Sequence, residues 1–272
     1  MNRVSDSPLG QKSTYISTYQ PSLLFPIPRL LKREEIEVPT VLPFHGVDVW
    51  NAYEISWLNL KGKPVVALGE FIFPCTSTHI IESKSFKLYL NSFNNSLFES
   101  FNEVKAIMTR DLSAMVGCSV EVNLFRLQDV KDKIHAFTGV YLDETDVACD
   151  TYTVSPAFLT TESVNVTETV YSDLLKSNCL VTGQPDWGSV RITYTGNKIA
   201  AAGLLKYIVS FRNHNEFHEQ CVERIFMDIL RQCAPSQLSV EARYTRRGGL
   251  DINPYRSTEA NFSPANERLC RQ

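Results

Sequence analysis

Tyr89-Leu90-Asn91-Ser92-Phe93-Asn94-Asn95 returns 118 residues later as Tyr207-Ile208-Val209-Ser210-Phe211-Arg212-Asn213, with four of the seven positions identical. An amphipathic helix follows each copy. Phe98, Phe101, Val104, Met108 and Leu112 mark the first at three- and four-residue spacing, and Phe217, Cys221, Ile225 and Ile229 mark the second. Upstream, Tyr53, Ile55 and Trp57 alternate with Glu54 and Ser56, Lys61-Gly62-Lys63-Pro64 supplies a turn, and Val65 to Phe73 completes a hairpin. Phe86 to Phe93 reads as a further strand and Cys118 to Leu127 as another. The second half keeps this order: Val164 to Leu174 and Gly188 to Tyr194 flank a turn-rich loop, Leu204 to Phe211 reads as a third strand, and Leu238, Val240, Ala242 and Tyr244 alternate as a closing one. The pattern predicts two similar α+β domains, 46–150 and 151–272, each an antiparallel sheet with helices on one face. Residues 1–45 read as an extended arm lying over the domain that follows, because Pro21, Pro26, Pro28, Pro39 and Pro43 exclude a long helix.

A chain of 272 residues suits two domains or one large one. Apolar residues make up 43% and charged residues 21%, enough to bury a core without disulfides or a metal. The net charge of −3, from 27 basic and 30 acidic residues, argues against a phosphate-backbone binder, which carries clustered excess Lys and Arg. No run approaches eighteen consecutive apolar residues, so no membrane association is expected. Met1 to Gly10 is polar and lacks the apolar core of a secretory signal. The seven cysteines include no CxxC pair, which points to reduced thiols in the cytoplasm and away from a zinc site.

None of the twelve glycines stands in a GxG pair, so the Rossmann fingerprint and the P-loop are absent. His214 and His218 stand four apart, yet Asn215 and Phe217 occupy the positions where zinc-protease signatures need glutamate. They read either as polar residues at a helix start or, with Glu219 near a helix N-terminus, as a ligand-reading pair. Asn178-Cys179-Leu180-Val181-Thr182-Gly183-Gln184-Pro185-Asp186-Trp187 is the richest segment: a thiol in a loop between two strands, seven residues before a carboxylate that a Gly-Pro turn can bring back. That arrangement suits a nucleophilic thiolate with a proton donor, and equally a buried cysteine beside a turn aspartate. The segments 82–87 and 243–251 are the locally basic ones. Arg246-Arg247 before two glycines can grip a phosphate or form a solvated strand end.

Four segments, ESKSFKLY at 82–89, CLVTGQPDW at 179–187, SFRNHNEFHEQC at 210–221 and RRGGLDINP at 246–254, together with SPLGQKSTY at 7–15, resemble the nitrile reductase family QueF in its long, two-domain form. The resemblance covers nearly the whole chain. It implies tandem tunnelling-fold (T-fold) domains and NADPH-dependent reduction of 7-cyano-7-deazaguanine to 7-aminomethyl-7-deazaguanine in queuosine biosynthesis. By the same resemblance Cys179 attacks the nitrile carbon to give a covalent thioimide and Asp186 supplies the proton. Ile81, Glu82, Ser83, His218 and Glu219 bind the deazapurine, Ser83, Lys84, Arg247 and Gly248 hold NADPH, and the enzyme is a homodimer with no metal. The product is destined for tRNA, but the −3 charge gives no reason to expect direct nucleic-acid binding. At offset 118, Glu82-Ser83-Lys84-Ser85 falls on Ala200-Ala201-Ala202-Gly203, and His218-Glu219 falls on Ser100-Phe101. Each half keeps what the other lacks, which predicts one site per chain at the interface of the two domains. Two rivals remain at this point: a cyclohydrolase-like T-fold enzyme, which needs zinc ligands, and a non-catalytic purine- or pterin-binding module, for which Cys179 is dispensable.

Overall fold

A computed structural model of the chain describes residues 15–131, 133–260 and 264–272. Residues 7–14 of the segment SPLGQKSTY, and the first fourteen residues of the expected arm, lie outside the described residues. Along the chain run β1 (Pro26–Pro28), α1 (Leu30–Glu35), β2 (His45–Leu58), β3 (Pro64–Pro74), β4 (His79–Ile81), α2 (Ser83–Ser92), α3 (Phe101–Val116) and β5 (Glu121–Phe125). They are followed by β6 (Ile134–His135), β7 (Val140–Tyr141), β8 (Thr161–Asn178), β9 (Pro185–Ile199), α4 (Ala201–Ser210), α5 (His218–Cys233), β10 (Gln237–Tyr244), β11 (Leu250–Ser257) and β12 (Arg268–Leu269).

The chain divides into two compact units, each α+β. Their boundaries differ from 46–150 and 151–272: the first unit takes Arg246–Asp251, and the second takes Lys32–Val47 and the chain from Lys133. Pairing explains the assignment. Tyr53 N donates to Gly249 O (3.0 Å) within the first unit. In the second, Arg33 clasps Glu223, Phe44 packs on Phe226 and β7 pairs with β8.

In the first unit the strands run β5-β3-β2, and β1 pairs antiparallel with β4. Ala67, Phe71 and Phe73 are buried on one face of β3. Phe86 of α2 meets Phe71 (5.0 Å) and Trp50 (5.3 Å), and Phe101 of α3 meets Trp57 (4.8 Å), so both helices cover that face. In the second unit the order is β11-β10-β9-β8-β7, antiparallel except for β7 with β8. Val190, Ile192 and Tyr194 are buried on β9 between half-exposed Arg191 and Thr193. α5 buries eleven of its sixteen residues.

Two expected strands are helices. Phe86 to Phe93 lies in and just after α2, and Leu204 to Phe211 lies in and just after α4. Phe86, Tyr89, Leu90 and Phe93, like Leu204, Tyr207, Ile208 and Phe211, stand at i, i+3, i+4 and i+7, a helical spacing that the dense aromatic and β-branched run conceals. The repeat itself has a structural cause. Tyr89 and Tyr207 donate to Asp111 (2.9 Å) and Asp228 (2.6 Å) on the next helix of their own unit. Ser92 and Ser210 each donate to the carbonyl three residues back at 2.6 Å. The same hydroxyls accept an incoming amide, Gln20 N at 3.1 Å and Ser155 N at 3.2 Å, one residue before Pro21 and Pro156 open a short 3-10 turn.

Candidate active site

At the C-terminal end of β8, Leu175, Ser177 and Cys179 are buried while Lys176 and Asn178 are not, the alternation of one strand face. Across the hairpin Ser177 pairs with Asp186 and Asn178 with Pro185, so Cys179, Ser177 and Asp186 share that face. Cys179 N donates to Gln184 O (2.8 Å), and Gly183 N donates to Cys179 O (3.0 Å). Gly183 has φ +66°, a conformation that closes this tip without strain only for glycine. Cys179 is 5% exposed and Asp186 6%.

The start of α5 is fastened to the same tip. Asn178 N donates to His214 O (2.7 Å), Glu216 N donates to Asn178 O (3.1 Å), and Asn178 Nδ2 donates to Asn215 Oδ1 (3.0 Å). His218, the first residue of α5, then stands with Nε2 3.6 Å from Asp186 Oδ1 and its ring centroid 4.0 Å from that of Tyr244. No side chain caps this helix, whose first-turn amides favour the negative charge of the buried Glu219. Behind it, burial pushes Glu216 up, but hydrogen bonds and charge from His214 and Arg224 outweigh this and leave the carboxyl below its ordinary value. Burial pushes the Cys221 thiol well up, so it is no competing nucleophile. His214 precedes α5, so it shares no helix face with His218. Among the described residues no group of three His, Cys, Asp or Glu stands ready to hold a metal.

A buried thiol, a carboxyl on its own face and an imidazole beside that carboxyl can perform nucleophilic addition with proton delivery.

The first unit holds a different cluster. Glu82, wholly buried, is the N-cap of α2 and accepts from Lys84 N (2.7 Å) and Ser85 N (2.8 Å). Burial raises its carboxyl above the ordinary value against the pull of those two amides, Lys87 and Lys84. Ile81 pairs with Pro26 at the end of β4, and Ser83 opens α2. Lys84, Lys87 and Asn91 on α2 line a cavity of about 330 Å³ with Tyr15, Glu54, Gly248 and Gly249. Arg247 and Leu250 exchange backbone bonds around Gly248 (φ +57°) and Gly249 (φ +73°), a turn of the mirror-image type that needs glycine. A side chain at Gly248 would stand 2.9 Å from Lys87 Nζ, and one at Gly249 would strike the Glu54 carboxylate at 2.5 Å. Arg246 lies 3.5 Å over the Tyr53 ring, and its Nε and Nη2 are buried without a hydrogen-bond partner.

The structure therefore gathers Cys179, Asp186, His218 and Glu219 in one unit, and Lys84 and Gly248, with Arg247 in the adjoining turn, in the other. Ile81, Glu82 and Ser83 lead into α2 from the strand side. Lys87, Gly188 and Tyr244 are not marked as site residues by the sequence, whereas Arg246, read with Arg247 as able to grip a phosphate, lies just before that turn. Lys84 and Lys87 become neighbours once 83–92 is read as a helix, whereas nothing in the local pattern marks Tyr244.

The family model described as nitrile reductase, 7-cyano-7-deazaguanine-reductase N-term, matches residues 15–124, and the model for QueF-like protein matches 185–262. Curated relatives named NADPH-dependent 7-cyano-7-deazaguanine reductase include those of Dechloromonas aromatica (strain RCB), 60% identical over 98% of this chain and 95% of the relative. The relative from Coxiella burnetii (strain Dugway 5J108-111) is 59% identical over 98% and 96%. That of Legionella pneumophila (strain Corby) is 56% identical over 100% and 96%. Among solved structures, the apo form of the archaeosine synthase QueF-like protein matches at a TM-score of 0.31 and 15% identity, covering 38% of this chain and 99% of that one.

Proposed function

The chain belongs to the family of NADPH-dependent 7-cyano-7-deazaguanine reductases, and on that premise we propose how its residues divide the reaction between them. It is an oxidoreductase of queuosine biosynthesis that reduces the nitrile of 7-cyano-7-deazaguanine. Cys179 adds to the nitrile carbon: an S–C bond forms, one C–N π bond breaks, and the nitrogen takes a proton from Asp186. The thiol proton returns to the Asp186–His218 pair, so the addition is balanced within the protein. The product is a thioimide, whose carbon accepts hydride far more readily than a nitrile does. NADPH when bound supplies the hydrides, two for the four electrons between nitrile and amine. Expulsion of the Cys179 thiolate after the first reduction opens the carbon to the second. Two protons drawn from solvent, one to the nitrogen and one to the released thiolate, balance the two hydrides, and the product is 7-aminomethyl-7-deazaguanine.

His218 and Glu219 bind the deazapurine from the start of α5, and Ile81, Glu82 and Ser83 contribute from the start of α2. Carboxylates suit the ring N–H and exocyclic amine. Ser83, Lys84, Arg247 and Gly248 hold the cofactor, joined by Lys87 and Arg246. The donor set fits a group carrying several phosphates: two ammonium groups line the cavity, two Arg246 nitrogens are buried unpaired, and glycine leaves backbone open at 248. We further propose that each unit is a T-fold half and that the enzyme works as a cytoplasmic homodimer without direct contact to nucleic acid. The seven free thiols support the reducing compartment, and the net charge of −3 supports the lack of direct nucleic-acid contact. Among the described residues no helix is long and apolar enough to cross a membrane.

The observation that carries the covalent mechanism is the buried Cys179 on one hairpin face with Asp186, which His218 adjoins at 3.6 Å. Its test is NADPH oxidation with 7-cyano-7-deazaguanine. Two NADPH consumed per nitrile by the wild type and none by Cys179→Ala support it, and turnover by the alanine variant contradicts it.

A further inference from the structure

Tyr244 ends β10 and stands across the ladder from Gly188. A Cβ at position 188 would come within 3.2 Å of its ring, tighter than ordinary contact, so the absence of a side chain there makes the notch in which the ring lies. The ring also packs on His218, with centroids 4.0 Å apart and planes tilted by 53°. The imidazole is thus flanked by Tyr244, while its Nε2 looks toward Asp186 at 3.6 Å. That distance is too long for a made hydrogen bond and short enough that a small rotation of the imidazole makes or loses one. Whatever fixes the ring therefore fixes the proton route to the carboxyl.

The first unit repeats the device without the chemistry. Leu68 pairs with Phe125 there, as Ser189 pairs with Arg243 in the second unit, so Arg126 holds the position that Tyr244 holds. The Arg126 guanidinium lies over the ring of Phe101, 5.4 Å from its centroid, and Phe101 opens α3 as His218 opens α5. In both units the residue at this register position, the last of β10 and the one just after β5, lies against the first side chain of the long helix. In the second unit alone is that side chain an imidazole.

We propose that Tyr244 is a positioning residue for the reductase: its ring, seated in the Gly188 notch, holds the His218 imidazole toward Asp186. Tyr244 touches no reacting atom in this account. It sets how often His218 and Asp186 are aligned when Cys179 adds to the nitrile. This rests on the covalent reading above, because without thiol addition there is no proton to deliver.

The test is the rate of covalent adduct formation on mixing enzyme with 7-cyano-7-deazaguanine without NADPH, followed by intact-protein mass. Tyr244→Leu is expected to form the adduct about 100-fold more slowly, the size of a misplaced catalytic group. Substrate affinity, measured by calorimetry in a Cys179→Ala background, is expected to fall by much less than the adduct rate when Tyr244→Leu is added, because Glu219, Ile81, Glu82 and Ser83 still hold the deazapurine where His218 has shifted. Tyr244→Phe, which keeps the ring, is expected to restore the rate to within about threefold. The His218 resonance, assigned by its loss in His218→Asn, reports the ring directly: its ring-current shift disappears in the leucine variant and persists in the phenylalanine one. A leucine variant as fast as wild type overturns the proposal, as does a phenylalanine variant as slow as leucine. Should Tyr244→Leu fail to fold, Gly188→Ala presses on the same ring. A moved His218 resonance with a slower adduct then supports the proposal, whereas a moved resonance with an unchanged rate, or no movement, overturns it. A wild type that forms no adduct contradicts the covalent reading itself, which keeps the two failures apart.

Discussion

Asn59 and Cys179 do the same thing to the backbone, but only Cys179 brings the thiol on which the proposed chemistry rests. Asn59 N donates to Lys63 O (2.9 Å) and accepts at its carbonyl from Gly62 N (2.8 Å), as Cys179 does with Gln184 and Gly183. Gly62 and Gly183 are both left-handed. Leu58 takes Ser96 and Phe98 as backbone partners where Asn178 takes His214 and Glu216. Matching these bonds sets Val65 against Asp186, and matching the starts of α3 and α5 sets Phe101 against His218 and Asn102 against Glu219. The helices align at an offset of 117, one less than the offset of 118 on which His218 falls on Ser100. The helix ends differ as well. Ser100 and Glu103 cap α3, with Glu103 N bonded to Ser100 and Glu99 N to Glu103, whereas α5 carries no side-chain cap. The lesson is that backbone bonding is preserved between the units while a handful of side chains separates the Asn59 turn from the turn proposed to carry the nucleophile.

The comparison breaks first, and most severely, if the two turns are interchangeable. Cys179→Ala should abolish turnover and leave the thermal midpoint within a degree or two. Asn59→Ala should leave kcat intact but cost about 1 kcal/mol of stability, because Asn59 Oδ1 accepts from Lys61 N and Lys63 N. Denaturant titration and NADPH oxidation on the same two proteins decide the point, and loss of turnover in Asn59→Ala would erase the division of labour.

Next in size is the clamp on Glu216, whose counterpart in the first unit is the apolar Phe98. Arg224→Ala leaves a buried carboxylate short of its partner and should cost about 3–5 kcal/mol in urea unfolding. The acid behaviour of Glu216 and Glu82, buried in different units, should be opposite. Glu216 is held below its ordinary value, so it contributes stability above the unfolded carboxylate value of about 4.3 that is lost as pH falls through its folded value. Glu82 is raised, so acidification relieves its burial and favours the fold. Glu216→Gln should therefore make unfolding less acid-sensitive than wild type and Glu82→Gln more so; identical pH curves would refute the contrast.

A smaller difference sharpens the repeat. Asp111 accepts from Tyr89, Tyr19 and Arg110, whereas Asp228 is held by Tyr207. Tyr207→Phe should then cost about 2 kcal/mol and Tyr89→Phe about 1, by thermal unfolding. Smallest of all, Ser92→Ala and Ser210→Ala should cost equal amounts, about 1 kcal/mol each, since both hydroxyls make the same pair of bonds.

The repeat, both long helices and the β8–β9 hairpin were legible because alternation and amphipathic spacing are strong over such lengths. α2 and α4 were not: ten-residue helices with buried residues all along them, six in α2 and five in α4, present runs that pass for strands, although Glu82 followed by two bonded amides is a helix start. Cys179, Asp186, His218 and Glu219 stood out by residue type and order. The cover that Tyr244 gives His218 stayed hidden, because it depends on a missing side chain at Gly188, fifty-six residues away in sequence and opposite in the ladder. The membership of 246–251 in the first unit was equally invisible, being made by one turn of backbone pairing.

The most direct measurement is intact-protein mass after incubation with 7-cyano-7-deazaguanine alone, followed by peptide mapping. One substrate mass per chain, with nothing lost, carried on the peptide containing Cys179 is the predicted result. No adduct, an adduct on another cysteine, or two per chain would contradict the claim that a single hairpin of the second unit performs the chemistry.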